Sequence, residues 1–410
     1  MRILLVAPMV PQEDGAGAIP VLLYAELVGL RERHDVSLVT AVGDEPGEEQ
    51  AVARLAREGV DVHLADRRQP PPGLRRWRRR WQLAAAWMRR GWPWRTVWFA
   101  APAVQAVLDR LAATRTFDVV AVEDDAMSVF RLPAGVPAVL TEHEVLRPRA
   151  IDWRPGTPPG WPRWALRELD WRRWENFQRA AWSRFDRVQV FSQRDAEAIA
   201  ELAPDVGSRV RVNPFGLVLP PAADPDREVP GSLLFVGNFT HPPNCDAAVW
   251  LAREIMPGVK ARHAAARLRI VGTAPPREVR ELAGSDVEVI ADVPSVRPHL
   301  EAACVVLAPV RSGGGMRMKV LHAIASGKAV VTTTRGAEGY GDDPPFAVAD
   351  DTEGIAERAA RLLGDERARR ELGERARAFA EKHHSPAAWA ARLEAIYEEA
   401  HSEQSEVAHG

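Results

Sequence analysis

The chain has 410 residues, more than one ordinary domain of roughly 100–200 residues holds. Its 46% hydrophobic and 27% charged residues fit a folded globular protein, and a formal net charge of −2 argues against a general nucleic-acid binder. Two cysteines, Cys245 and Cys304, fit no zinc spacing and read as reduced thiols. The apolar opening, Met1–Pro8, lacks the length and cleavage site of a signal peptide, and no run reaches about 18 uncharged apolar residues. The expected location is the cytoplasm.

Short apolar runs then alternate with amphipathic stretches. Ile3–Ala7, Val36–Val39, Val60–Leu64, Val119–Val122, Ala138–Thr141 and Val188–Phe191 read as buried parallel strands. In Val60–Leu64 the polar Asp61 and His63 alternate with apolar residues, as on a half-exposed strand. Ile19–Arg31, Glu48–Glu58 and Ala103–Ala113 have helical spacing. This is the alternation of a doubly wound sheet.

Residues 220–231 are rich in proline and charge without an apolar period, and read as a linker. Strands are expected again at Leu233–Val236, Leu268–Val271, Val287–Ile290, Val305–Ala308 and Ala329–Thr332. Asp246–Met256, Val296–Ala303, Lys319–Ala325 and Thr352–Leu363 read as helices between and after them. The expected organisation is an α/β domain over 1–219, the linker, and a second α/β domain over 232–385. A helix over 386–400 follows, packing back on the first domain, then a flexible tail over 401–410. Ligands of such sheets bind beyond the carboxyl ends of the strands, so two facing domains would form a cleft there.

The densest chemistry lies in Ala308–Val331. A strand ends, Gly313-Gly314-Gly315 follows, and a helix begins near Arg317 and Lys319. Glycines let a ligand approach the backbone, and helix N-terminal N–H groups favour an anion, typically phosphate. Cations at that end oppose the helix dipole unless an anion is present. A Gly-rich turn with solvated basic residues is the alternative.

The pattern Gly313-Gly314-Gly315-x-Arg317-x-Lys319-x-Leu321-x-Ala323-x-Ala325-x-Gly327, followed by Val330–Thr333 and Gly336–Gly339, resembles family 4 glycosyltransferases of the GT-B fold. The resemblance is closest to the branch of exopolysaccharide and exosortase-associated sugar transferases. Leu234–Phe239 with Pro243–Ala247 resembles the opening strand and loop of that family's C-terminal domain. Val293–Leu300 resembles its V-x-D-V-R-P-Y-L stretch, with Ser295 in place of Asp. More weakly, Pro8–Gly17 matches the glycine loop after the first strand. Trp174–Asp195 resembles a W-E…S-x-x-D stretch, and Thr141–Glu144 the place where the family carries a histidine.

The resemblance implies two facing Rossmann-like domains and a crossover helix. It implies transfer of a hexose from a nucleoside diphosphate, typically UDP, to an acceptor hydroxyl, with retention and without a metal or other cofactor. Arg317 and Lys319 would neutralise the leaving diphosphate, and His143 would contact the donor sugar or align the acceptor. Gly15, Gly17, Gly237, Asn238, Gly313, Gly314, Gly315 and His322 would complete the donor site. Glu123 and Glu142 fall on the acceptor side. His322 stands where the family's ribose-binding glutamate is usual, and Asn238 and Asn244 stand where many relatives place Arg and Lys.

Twelve of the 14 tryptophans lie between Trp77 and Trp182. The Trp/Arg segment 74–98 fits two readings equally: a contact with an anionic membrane surface, peripheral at its inner face, or a helix packing its tryptophans inward. Trp153–Trp182 reads as core, and the proline-rich Arg147–Trp164 as a loop over the acceptor site. Two other functions share the architecture. A sugar-nucleotide epimerase would draw acid and base from Glu123, Asp124 and Asp125, which capping or solvation explains as easily. A degenerate binding subunit would suit the missing glutamate at His322.

Overall fold

Runs of β-branched and aliphatic residues with no free edge polarity fold most stably as parallel strands covered on both faces, and two such sheets form here. The computed structural model describes residues 1–14, 17–45, 47–69, 73–145, 163–341 and 343–409. They divide into two compact units: the chain up to Gly216 together with the last helix, and Leu217–Ser385.

In the first unit β1 (Arg2–Val6), α1 (Ala18–Arg31), β2 (Asp35–Val42), α2 (Glu48–Arg57) and β3 (Asp61–Asp66) alternate as expected. Then come α3 (Leu74–Arg90), α4 (Trp94–Phe99), α5 (Pro102–Thr114), β4 (Val119–Glu123) and β5 (Ala138–Thr141). α6 (Arg163–Trp182), β6 (Arg187–Val190), α7 (Gln193–Leu202) and β7 (Val210–Val212) complete it. All strands are parallel, in the order β3-β2-β1-β4-β5-β6-β7. Ile3, Leu4, Leu5 and Val6 are wholly buried at the centre, while the alternating β3 forms one edge. Ser192 accepts from the Asp195 N–H and starts α7.

The second unit contains β8 (Ser232–Asn238), α8 (Pro242–Trp250), α9 (Met256–Arg262), β9 (Arg267–Thr273), α10 (Arg277–Arg280) and β10 (Val287–Ala291). It continues through α11 (Arg297–Ala302), β11 (Val305–Ala308), α12 (Met318–Ala325), β12 (Ala329–Thr332), β13 (Ala347–Val348), α13 (Thr352–Gly364) and α14 (Glu366–His384). Its parallel sheet runs β10-β9-β8-β11-β12-β13. The single helix expected over Asp246–Met256 is interrupted by a π-helical turn at Leu251–Ile255. Pro257 lacks an N–H and its ring crowds the preceding turn, which accounts for the break.

The segment read as a linker is fastened to this second unit. The Glu228 carboxylate lies 3.0 Å from both Lys328 and Arg369, and the Val229 N–H donates to the Ala302 carbonyl.

α15 (Pro386–His409) belongs to the first unit and packs along α1. Close approach requires Gly29: a Cβ there would meet the Pro386 carbonyl and lie 2.9 Å from the Ala390 Cβ. The helix does not end at Ala400 with a loose tail. No glycine or proline interrupts it before Gly410, and Arg187 bonds Glu403 across it at 2.7 Å.

Candidate functional site

In each sheet the strand order reverses between two neighbours, β1 and β4 in the first unit, β8 and β11 in the second. Loops leaving such a pair diverge to opposite faces and open a crevice at their carboxyl ends. The candidate residues gather at these points.

In the second unit the loop after β11 carries the triple glycine. Gly313 and Gly315 have φ of 87° and 74°, the left-handed region where a Cβ is disfavoured. Arg317 is the N-cap of α12, and its guanidinium turns back to donate to the carbonyls of Gly314 (2.7 Å) and Gly313 (2.9 Å). Arg317 thus shapes the glycine loop as well as placing charge beside it. Beneath it, the buried Tyr340 hydroxyl donates to the Arg317 carbonyl at 2.8 Å. Gly336 leaves room for Thr332, whose hydroxyl donates to the Ala308 carbonyl at 2.7 Å.

Lys319 lies 4.5 Å over the Phe235 ring and donates to the Asn244 side-chain carbonyl. Burial, and then the charge of Arg317, bring its ammonium down to about 7. The loop after β8 meets it from the other side. Asn244 donates to the Asn238 carbonyl at 2.7 Å, and Asn238 closes its own turn by accepting from the Thr240 N–H at 3.0 Å. Gly237 keeps the contact close, since a Cβ there would lie 3.1 Å from the Asn244 Cβ. His241, the N-cap of α8, is held below the ordinary imidazole range by partial burial and then by Lys319. His322 follows Lys319 by one turn of α12 and is half-buried.

The N-terminus of α12, a glycine loop and three basic groups therefore gather beyond β8 and β11, beside α8, which starts on two prolines that carry no N–H, and the charges acting on Lys319 and His241 are themselves cationic. Such a set is costly without an anion and suits a diphosphate. Arg311 is not part of it: Asp246 holds it in a bidentate pair at 2.6 and 3.0 Å. His241 is the member that sequence reading missed, and its place next to Asn244 at the start of a helix was the available signal.

In the first unit Gly17 is the N-cap of α1 at φ 112°. Gly15 lies outside the described residues, as does most of Arg147–Trp164. Glu123 ends β4, and its Oε2 lies 3.0 Å from Nε2 of His143, just past β5. Phe191 packs edge-on against the His143 ring, with centroids 5.4 Å apart. Glu26 of α1 meets Glu123 from the other side, and burial, then the Glu123 charge, drive its carboxyl well above the usual range.

Next to this pair stands a second buried set. Asp124 has φ 79°, strained for a residue with a Cβ, and caps the 3-10 turn Asp125–Val129 by accepting from the Ala126 N–H. Burial opposes its charge, yet Arg95, His143 and that N–H together hold it below the ordinary carboxylate range. Burial, then Asp124, push Asp125 up to about 8, while Trp174 donates to it at 3.2 Å. Glu142 takes the Trp182 indole N–H at 2.7 Å and is raised by burial and then by Asp125. Solvation therefore does not account for Glu123, Asp124 and Asp125, which are 0–1% exposed; capping does for Asp124. Glu142 faces the interior of the first unit, 3% exposed.

Residues 230–365 match the family model described as glycosyl transferases group 1. No curated protein sequence matches the chain. The fold is similar to that of HepE of Anabaena, solved with UDP-glucose: 13% identity, TM-score 0.64, covering 97% of this chain and 100% of that one. Sucrose-phosphate synthase of Thermosynechococcus elongatus gives 16% identity and TM-score 0.62, covering 97% and 98%. A mutant of TarM of S. aureus, solved with UDP, fondaparinux and a GlcNAc-glycerol, gives 8% identity and TM-score 0.64, covering 97% and 99%. The architecture is GT-B, two parallel-sheet Rossmann-like domains, and the second carries the glycosyltransferase group 1 domain.

Proposed function

We propose that the chain is a retaining, family 4 glycosyltransferase that moves a hexose from a nucleoside diphosphate to an acceptor hydroxyl. What supports this reading is the cluster of Arg317, Lys319 and His241 beside the glycine loop and the N-terminus of α12 in the second unit. A transferred sugar leaves behind a diphosphate, and the charge that develops there is what these groups are placed to stabilise. Arg317 and Lys319 supply the positive charge that other transferases take from a divalent cation, so the reaction proceeds without a metal. A diphosphate oxygen takes the acceptor proton on the face the leaving group departs, which retains configuration. His143, oriented by Glu123, contacts the sugar or the incoming hydroxyl. UDP is the first nucleotide to test, because it is bound in structures of HepE and of the TarM mutant. The exopolysaccharide branch suggests a cytoplasmic enzyme, and the acceptor is a glycan, a lipid-linked precursor or a small molecule.

The test is calorimetric titration of UDP, GDP, ADP and dTDP and their sugars into the protein and into an Arg317→Ala/Lys319→Ala variant. Selective binding of one nucleotide, lost in the variant, followed by an α-linked product from an α-linked donor, is the expected result. A folded protein that binds none of them overturns the proposal.

A further inference from the structure

α3 divides the tryptophan-rich segment between the two readings of the sequence. Its inner face holds Trp87, whose indole N–H donates to Asp170 of α6 at 2.6 Å and whose ring lies 3.9 Å under the Arg173 guanidinium. Leu83 and Ala86 on that side are half-buried. That end packs inward.

The other face does not. Leu74, Trp77, Trp81 and Met88 are spaced so that they share one stripe of a helix. They are 72%, 58%, 55% and 59% exposed, and no residue of α3 is buried. The Trp77 and Trp81 rings meet edge to face with centroids 5.7 Å apart, which joins them into one apolar surface. Single exposed hydrophobics are common, but an aligned stripe on one helix marks a surface with an occupant. Arg78 and Arg80 flank it, the exposed Arg75 and Arg76 lie further round the same first turns, Arg89 and Arg90 close its end, and α3 contains no acidic residue. The whole chain, by contrast, carries a formal charge of −2.

We infer that α3 docks in the plane of an anionic lipid bilayer, with Leu74, Trp77, Trp81 and Met88 entering the acyl boundary and the flanking arginines pairing with lipid phosphates. The charge pattern selects the occupant: a ridge of tryptophan and aliphatic residues bordered by arginine matches an interface apolar below and anionic above. A convex helix offers no groove to track a nucleic-acid strand. Among the described residues no helix is long and apolar enough to cross a membrane, so the contact is at the surface. The inference does not depend on the proposed sugar transfer.

The experiment is co-sedimentation of the full chain with phosphatidylcholine vesicles and with vesicles holding about one-third phosphatidylglycerol, at about 50 mM and 500 mM salt. Wild type is compared with Trp77→Ala/Trp81→Ala and with Arg75→Gln/Arg76→Gln/Arg78→Gln, each checked by circular dichroism and melting. These side chains are exposed, so both variants are expected to fold. Binding is expected to anionic vesicles only, weakened by salt, and reduced roughly tenfold or more in each variant. Absence of binding to anionic vesicles overturns the inference, as does equal binding by the tryptophan variant. So does self-association or single-stranded DNA binding through the same residues without vesicle binding.

Discussion

The Lys319 ammonium at the start of α12 lies beside the Arg317 guanidinium, and burial, then that charge, bring it to about 7. The ligand-free protein therefore loses this charge as pH rises through neutrality. A bound diphosphate favours the ammonium, so binding above that pH takes up a proton. UDP affinity is expected to fall between about pH 7 and pH 9, by up to roughly tenfold per unit. Calorimetry in buffers of different ionisation enthalpy reads the proton directly. In Arg317→Ala the Lys319 value rises, so the fall moves to higher pH while overall affinity drops. Flat affinity without proton uptake would show that Lys319 does not face the anion.

Asp125 gives a pH dependence of the fold itself. Its carboxyl is raised to about 8 by burial and by Asp124, whereas the unfolded chain ionises it near 4. The folded state thus binds the extra proton between those values. Its contribution to stability is complete below about pH 4 and is lost as pH rises through 8. The Asp125→Asn variant lacks this term and is expected to lose less stability than wild type between about pH 5 and pH 8.5, by up to a few kcal/mol. Melting temperatures across that range decide it; parallel curves count against a protonated Asp125.

The Asp124–Arg95 pair predicts a larger and simpler effect. Arg95 also lies 3.4 Å from Asp125 and 5.5 Å from the Trp174 ring centroid, so it closes the cluster on one side. Removing it leaves Asp124 buried without its cation. Arg95→Met is expected to cost about 3 kcal/mol or more in denaturant unfolding, and Arg95→Met with Asp124→Asn less than the single change. Additive costs would mean the two groups are not coupled.

Periodicity made both sheets legible, because each central strand is a short aliphatic run buried on both faces. The loop-to-helix turn at Gly313–Lys319 was legible too, since three glycines between an aliphatic strand and an amphipathic helix mark a turn. Other features lay beyond local pattern. α14 was not expected because its Arg- and Glu-rich face masks a narrow seam of Leu372, Gly373, Ala376 and Ala380, although Asp365 caps it. β7 and β13 are edge strands of three and two residues, too short for a period. The burial of Asp125, Glu26 and Glu142 follows from tertiary packing: α1, α4 and α6 close over the ends of β4 and β5 from positions far apart in the chain. The core reading of Trp153–Trp182 holds at Trp182, which is fully buried, while the two readings left open for 74–98 divide between the half-buried Trp87 and the exposed Trp77 and Trp81, according to which neighbour each helical face meets.

Gly29 tests how firmly α15 is seated. A side chain there must displace the Pro386 backbone or the Ala390 methyl group. Gly29→Val is expected to lower stability by about 2–3 kcal/mol and to raise protease sensitivity within α15. Gly59→Ala serves as a comparison: nothing lies within 4 Å of a Cβ there, so its smaller cost reflects only the left-handed backbone at φ 72°. Equal losses for the two would argue against close packing of α1 and α15.

The contact between Glu123 and His143 separates positioning from structure. The carboxylate at 3.0 Å faces Nε2 of the imidazole, which in the proposed reaction leaves Nδ1 for substrate. His143→Ala is expected to lower kcat by roughly 100-fold or more, with donor binding nearly unchanged if the diphosphate is held, as proposed, by Arg317 and Lys319. Glu123→Gln preserves the shape but can present its amide N–H to the ring, so a smaller fall of about 10-fold is expected. That fall should come with a shift in the pH profile of kcat. The double variant should lose little beyond His143→Ala, since Glu123 acts through the imidazole. A Glu123→Gln protein that loses kcat with no change in pH profile, or a double variant with multiplied losses, would assign Glu123 a separate role in holding α1 through Glu26.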